Sequence, residues 1–328
     1  MRILVIGGAG YIGSHTVRLL KNRGHDVWVF DNLSMGHRES IPAGLLIVGD
    51  LKDGDHLDHV LLINRIDAVV HFAANAAVGE SVVNPAKYYQ NNLVNTLNLM
   101  ERMRRNGVSK MVFSSTCATF GVPEKVPIGE DLPQKPINPY GWTKLLVEQA
   151  LTDYAAAYGW GFAALRYFNA AGASPARDIG EDHDPETHLI PLILQTVLGQ
   201  RPYIEIFGTD YPTPDGTCIR DYIHVDDLAE AHILALERIQ PGSALKYNVG
   251  TGKGWSVREV IASAERVTGK MVPVKLGQRR PGDPPELVAS PAKIMKELGW
   301  RAKYLEIEQI LETAWQWHRT HPRGYKAT

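Results

Sequence analysis

The chain has 328 residues, 44% of them hydrophobic and 22% charged, which suits a folded chain with a large core and about two domains. A formal net charge of −1 offers no basic field to nucleic acid or an anionic membrane, and no apolar run reaches the roughly 18 residues of a membrane span. The apolar N-terminus is broken by Gly7 to Gly10 without a basic leader, and Cys117 and Cys218 fit neither a zinc pattern nor a disulfide framework, so the reducing cytoplasm is the expected compartment.

Arg2 to Ile6 is a short apolar run suited to a buried parallel strand. Gly7, Gly10 and Gly13 follow at three-residue spacing, and a helical pattern (Ile12, Val17, Leu19, Leu20) begins inside the turn. In strand–turn–helix context such glycines permit a tight turn, close approach of backbone to a pyrophosphate and close helix packing. The helix N-terminus adds free N–H groups and partial positive charge. A second strand, Val27 to Phe30, ends in Asp31, eighteen residues after Gly13. An acid there suits the ribose diol of NAD and repels a 2′-phosphate. A glycine-rich turn without a ligand is the alternative.

Leu45 to Val48 reads as a third strand ending at Gly49-Asp50, and a helix follows around Leu57 to Ile63. Ala68 to Phe72 is a fourth strand, a long helix runs from about Pro85 to Arg105, and Met111 to Ser115 is a fifth strand. This alternation implies βαβ units and a parallel sheet, with ligand off the carboxyl ends of the strands. Gly7, Asp31, Asp50, Phe72, Ala73, Ala74, Ser115 and Thr116 should therefore meet in one crevice. The proline-rich segment Val122 to Asn138 leads to Pro139, which can open a helix over Tyr140 to Tyr154, and Gly161 to Tyr167 is a sixth strand.

After Asn169 the texture changes to a polar, acidic stretch from Ala173 to Glu186. A helix near Leu189 to Leu198, a strand Tyr203 to Phe207 and a loop from Thr209 to His224 follow. Val225 starts a helix to Ile239, capped by Asp226 or Asp227, and Tyr247 to Gly250 is a strand returning to the main sheet. Ser256 and Glu259 form a capping box for a helix to Val267. A strand Val272 to Leu276, a basic loop Arg279 to Asp283 and two helices complete the chain. The expected fold is α/β: a Rossmann-type doubly wound parallel sheet over residues 1–170, with 210–250 returning to it, and a smaller α/β lobe mainly within 171–328.

Tyr140 and Lys144 form Y-x-x-x-K, and positions i and i+4 share one helix face. A free Tyr titrates near ~10; a nearby cation favours the phenolate by about 1.4 kcal/mol per unit of pKa. The pair is a candidate general base for an alcohol whose hydride leaves to NAD. Thr116, just past a strand end, can hydrogen-bond the substrate hydroxyl and relay its proton. The plainer alternatives are a half-exposed Tyr with a solvated Lys, a satisfied strand-end Thr and, for Arg220, a surface ion pair with Asp221 or Asp227.

Together, GGAGYIGSH (7–15), DNLSMGH (31–37), HFAANAAVGES (71–81), SSTCATFG (114–121), NPYGWTK (138–144), RYFNAAGA (166–173), RDYIHVDDLA (220–229) and YNVGTG (247–252) resemble the extended short-chain dehydrogenase/reductases, over nearly the whole chain. Within that family the likeness is to members that invert C4 of UDP-sugars. The resemblance implies a tightly held NAD, with Tyr140 taking the proton of the 4-hydroxyl, Thr116 assisting, and Lys144 lowering the Tyr140 pKa and binding the nicotinamide ribose. A transient 4-keto sugar would turn over and be reduced from the other face. Besides the three glycines, Tyr11, Ile12, Asp31, Asn32, Ser34, Gly36, Asp50, Leu51, Phe72, Ala73, Ala74, Asn91 and Phe168 would line the cofactor. Asn169, His188, Leu189, Phe207, Arg220, Arg280 and Asp283 would hold the UDP part. No metal is assigned. A homodimer through the helices near 85–105 and 140–155 is implied, with UDP-glucose and UDP-galactose as the expected substrates and UDP-pentoses or UDP-N-acetylhexosamines as alternatives.

Three positions depart from the family pattern. Ala76 replaces a common Lys, Phe120 replaces the usual Tyr, and Leu287 stands where many bacterial relatives carry a Tyr closing the sugar pocket. The last implies room for a larger C2 substituent. A dehydratase or decarboxylase of the same fold needs an acid after the catalytic Thr, where this chain has Cys117 and Ala118. A non-catalytic NAD sensor would have no use for Tyr140, Lys144 and Thr116.

Overall fold

Alternate side chains of the first strand, β1 (Arg2–Ile6), enter two different cores: Ile3 and Val5 one, Leu4 and Ile6 the other. A strand buried on both faces requires helices above and below its sheet. The computed structural model, which describes residues 1–280 and 283–326, builds that arrangement. The first half contains α1 (Tyr11–Asn22), β2 (Asp26–Asp31), β3 (Leu46–Val48), α2 (Gly54–Ile63), β4 (Ala68–His71), α3 (Val78–Val83), α4 (Pro85–Tyr88) and, past a π-helical stretch Tyr89–Val94, α5 (Asn95–Arg105). There follow β5 (Lys110–Thr116), α6 (Pro139–Tyr158), β6 (Gly161–Tyr167), β7 (Asn169–Ala171), α7 (Leu189–Val197), β8 (Ile204–Phe207) and β9 (Ile219–His224). The remainder is α8 (Val225–Arg238), β10 (Ala244–Val249), β11 (Gly254–Ser256), α9 (Val257–Thr268), β12 (Val274–Gly277), β13 (Glu286–Leu287), α10 (Ala292–Leu298) and α11 (Ile307–Thr320).

The main sheet has the order β3-β2-β1-β4-β5-β6-β10, and every neighbouring pair is parallel. Side chains of α1, α8 and α10 cover one face, and those of α2, α5 and α6 the other. Strand order reverses between β1 and β4, where Ile6 lies opposite His71. At such a switch point the loops diverge and leave a crevice beyond the strand ends. A separate core gathers Ile190, Ile193 and Leu194 of α7, Val260, Ile261 and Ala264 of α9 and Ile307, Ile310 and Leu311 of α11, together with β8 and Tyr222.

Two expectations need correcting and one refining. The stretch 85–105 is helical throughout, as expected, but its middle turn, Tyr89–Val94, is π rather than α. Its π-helical turn holds Asn92, which accepts from the Asn75 amide at 2.8 Å and donates to the Asn75 carbonyl at 2.9 Å. That side chain fastens the loop after β4, and π-turns of this kind recur at functional sites. The expected loop 209–224 contains β9. Its Arg220-Asp221 centre disguises a strand, because Asp221 is buried and accepts from Thr251, Gly252 and Ala289. The α8 cap is His224, whose Nδ1 accepts from the Asp226 amide, whereas Asp226 binds His15 and Arg18 and Asp227 accepts from the Lys303 and Tyr304 amides. The Ser256–Glu259 capping box is present as expected. Among the described residues no helix is long and apolar enough to cross a membrane.

Candidate active site

A cleft of about 440 Å³ lies beyond the carboxyl ends of the sheet strands. It is lined by Gly7, Gly10, Tyr11, Ile12 and Gly13, by Asp31, Asn32, Ser34 and Gly36, by Asp50 and Leu51, by Phe72, Ala73 and Ala74, and by Asn91 and Phe168. Thr116, Tyr140 and Lys144 stand in the same wall, as do Asn169, His188, Arg220 and Asp283. Three residues assigned to the UDP part lie outside it. Leu189 packs on the third core, and Phe207 is 38% exposed with the Arg280 guanidinium 4.7 Å above its ring.

The glycine turn divides its labour. A Cβ on Gly7, which has φ +73°, would sit 2.4 Å from the Ala73 nitrogen, and one on Gly13 would sit 2.4 Å from the Gly7 oxygen. These two glycines serve the turn itself. A Cβ on Gly10 would meet only the Gly7 oxygen, at 3.5 Å, so the backbone does not require that glycine. What its missing side chain preserves is open space at the start of α1, whose first turn has no side-chain cap. Gly13→Ala should therefore destabilise the protein by about 1–3 kcal/mol in chemical denaturation. Gly10→Ala should leave stability unchanged and weaken NAD binding by about tenfold or more in calorimetry. Unchanged NAD affinity would remove the phosphate-cradle reading of Gly10. Asp31 is held at the end of β2 by the Ala9 and Leu33 amides, at 2.9 and 2.8 Å, against a burial that pushes its carboxyl up.

Tyr140 and Lys144 are placed by the start of α6. Pro139 opens the helix and the Asn138 side chain accepts from the Gly141 amide at 2.8 Å. Tyr140 is 8% and Lys144 3% exposed, which rules out a half-exposed Tyr with a solvated Lys. The Lys144 ammonium lies 5.9 Å from the Tyr140 ring centre but donates to the Ser114 carbonyl at 2.8 Å. Burial pushes Lys144 down to about 7. Burial also pushes the Tyr140 phenol well above its ordinary value, Tyr167 adds to this, and the Thr116 hydroxyl opposes it. With the ammonium turned onto a backbone carbonyl, desolvation sets the direction of the Tyr140 pKa in the ligand-free cleft. Thr116 ends β5, and its hydroxyl accepts from the Ala118 amide at 3.2 Å.

At the far end of the cleft, Arg220 forms no pair with Asp221 or Asp227. Its guanidinium donates to the Ile219 carbonyl and stands 3.7 Å from Asp283, which also accepts from Arg280 at 3.1 Å. Leu287, paired with Arg220 across β13 and β9, lines the cleft, as do Ala76, Cys117 and Ala118. Phe120 is buried beneath the Arg166 guanidinium, so its aromatic ring serves packing.

Sequence reasoning missed several residues. Tyr167, hydrogen-bonded to Ser114 at 2.6 Å, lines the cleft, and so do Glu181 and His183. The interleaving of Glu181, His183, Glu186 and His188 was the available signal for the last two. Burial pushes both histidines down, but Glu181 and Glu186 more than reverse this, holding His183 at about 9 and His188 at about 10.

Known proteins supply the remaining comparison. The model of the NAD dependent epimerase/dehydratase family matches residues 3–250. A UDP-glucose 4-epimerase of Halalkalibacterium halodurans is 51% identical over 326 residues, 99% of this chain and 98% of its own length. The crystal structure of the UDP-glucose 4-epimerase from Brucella ovis in complex with NAD is 50% identical, covers 96% of this chain and 97% of that one, and superposes with a TM-score of 0.92. That of the Bifidobacterium longum enzyme in complex with NAD+ and UDP is 39% identical, covers 99% and 100%, and has a TM-score of 0.95. With the sheet, the glycine turn and the Tyr140–Lys144 pair in place, the chain belongs to the NAD dependent epimerase/dehydratase family.

Proposed function

We propose that the protein interconverts UDP-glucose and UDP-galactose by NAD-dependent inversion at C4 through a transient 4-keto sugar. The observation that carries this is that buried Thr116, Tyr140 and Lys144 share one cleft with the glycine turn and with Arg220. The cleft fits the cofactor: Gly10 leaves room for the pyrophosphate, the α1 N-terminus faces that room, and Asp31 stands where a ribose diol would meet it. NAD, held by the glycine turn and Asp31, would supply hydride exchange at C4 and, when oxidised, positive charge beside the Tyr140 phenol. Tyr140 takes the proton of the 4-hydroxyl and gives it back, with Thr116 as the relay. Arg220 binds the nucleotide's phosphates, remote from the reacting carbon, so the sugar itself can be held loosely enough to turn over.

Incubation with UDP-galactose, without added NAD, should yield UDP-glucose with isotope at C4 retained. No conversion, or loss of that label to water, would overturn the reading. In the same assay Leu287 leads us to expect conversion of UDP-N-acetylglucosamine; its failure while UDP-glucose turns over would remove the wider-pocket idea. UDP-arabinose serves as the pentose comparison.

A homodimer is the second part of the proposal. Val94, on the 85–105 segment, and Trp142 and Leu146, on α6, are exposed apolar side chains on the two helical stretches expected to form a seam. Sedimentation should show a dimer that Trp142→Glu weakens; a monomeric wild-type protein would sink it. The free thiols of Cys117 and Cys218 support placement in a reducing cytoplasm.

A further inference from the structure

Among the described residues, one group of metal-ligating side chains is untouched by the chemistry at Tyr140. Glu181, His183, Glu186 and His188 each direct one ligand atom into the same small volume, with all four atoms within 4.8 Å of one another. The His183 Nδ1 lies 3.5 Å from Glu181 and 3.4 Å from Glu186. The His188 Nδ1 lies 3.0 Å from Glu181 and 2.9 Å from Glu186. Ligands about 2.0–2.2 Å from a tetrahedral Zn²⁺ stand roughly 3.3 Å from each other. The His–Glu separations are therefore close to the edge length of such a shell, with Glu186 meeting His183 through Oε2 and His188 through Oε1.

We propose that this segment binds one divalent transition-metal ion, zinc by the chemistry of its donors, through Nδ1 of His183 and His188 and one carboxylate oxygen each of Glu181 and Glu186. Two imidazoles and two carboxylates suit zinc, whereas magnesium and calcium take six or more oxygens. The backbone is set in advance. Trp317 donates its indole N–H to the Glu181 carbonyl, and the Tyr325 amide donates to the neighbouring Asp182. The two glutamate side chains are 4% and 5% exposed, so they are presented from a packed wall.

The ion would act as a staple. His183 packs edge-on against Tyr11 of the glycine turn, and His188 lines the cleft. Metal binding would thus tie the segment before α7 to the phosphate side of the site. A zinc on His188 would take over a side chain that the resemblance gave to the UDP part, and its readout, metal content and spectrum, is independent of turnover.

The test is metal analysis of the full chain purified without a histidine tag, followed by chelator stripping and titration with Zn²⁺ and Co²⁺. The expected result is about one zinc per chain, with Co²⁺ giving the visible absorption of a four-coordinate site. Glu186→Gln and His183→Gln should each lower zinc affinity by about 100-fold or more, and His59→Gln, an exposed histidine elsewhere, should leave it unchanged. Wild-type protein that takes up no stoichiometric zinc after stripping would overturn the proposal, whether or not the variants fold. So would wild-type affinity in a folded Glu181→Gln/Glu186→Gln double variant.

Discussion

Tyr140→Phe is expected to lower turnover by about 10²–10⁴ while leaving the fold and the binding of UDP intact. The substitution removes one oxygen. The ring keeps its edge contact with Tyr88, at 6.5 Å between centres, and α6 keeps its Asn138 cap. What is lost is the phenol that faces Thr116, on a ring 5.9 Å from the Lys144 ammonium. Because burial and Tyr167 both raise the Tyr140 pKa, the phenolate is costly until further positive charge arrives. The loss should therefore fall on the chemical step. Single-turnover assays should show it in kcat with little change in KM, and calorimetry with UDP should match the parent. Near-full activity would remove Tyr140 as the base.

The second large effect concerns stability. Glu148 and Arg166 form a bidentate pair with side chains only 1% and 3% exposed; the shortest contact is 2.6 Å, and Ser115 donates a further hydrogen bond to Glu148. Truncating one partner leaves the other charge buried and uncompensated. Glu148→Ala should thus cost about 3–5 kcal/mol in denaturant unfolding. Replacing both partners, Glu148→Leu with Arg166→Met, should recover much of that loss, because the desolvation penalty then disappears. Glu148 is one helical turn beyond Lys144, Ser115 precedes Thr116, and Arg166 precedes Tyr167, so the pair also fixes α6 against the two strands that frame the site. A cost below about 1 kcal/mol for Glu148→Ala would show that the pair is dispensable.

The parts of the fold that could be read in advance are those governed by local pattern. The β1–glycine turn–α1 unit rests on an apolar run and three spaced glycines, and the Ser256–Glu259 box on two residues three apart. The Tyr140–Lys144 spacing placed both groups on one helix face for the same reason. What escaped depends on partners distant in the chain. Asn92 turns inward to hold Asn75, Asp221 is satisfied by Thr251, Gly252 and Ala289, and His224 caps α8 because the two aspartates after it are engaged elsewhere. The bond that Lys144 makes to Ser114 likewise reaches thirty residues back, to β5. Arg280 and Phe207 fell outside the cleft wall for a similar reason: they pair with each other, a contact that sequence spacing does not announce.

The seventh strand of the main sheet has a consequence for how this molecule comes into being. Residues 244–249 complete an array whose neighbouring strand ended at Tyr167, and the helix that covers that flank, 225–238, also emerges late. During synthesis a nascent chain of the first two hundred residues would present β6 as an open hydrogen-bonding border and would lack α8 and α10 over one face of the sheet. Such borders recruit other strands. Ribosomal output must pass about residue 250 before the sheet closes, so slow elongation through 170–240 should send more of the product into aggregates, and chaperone demand should peak in that window.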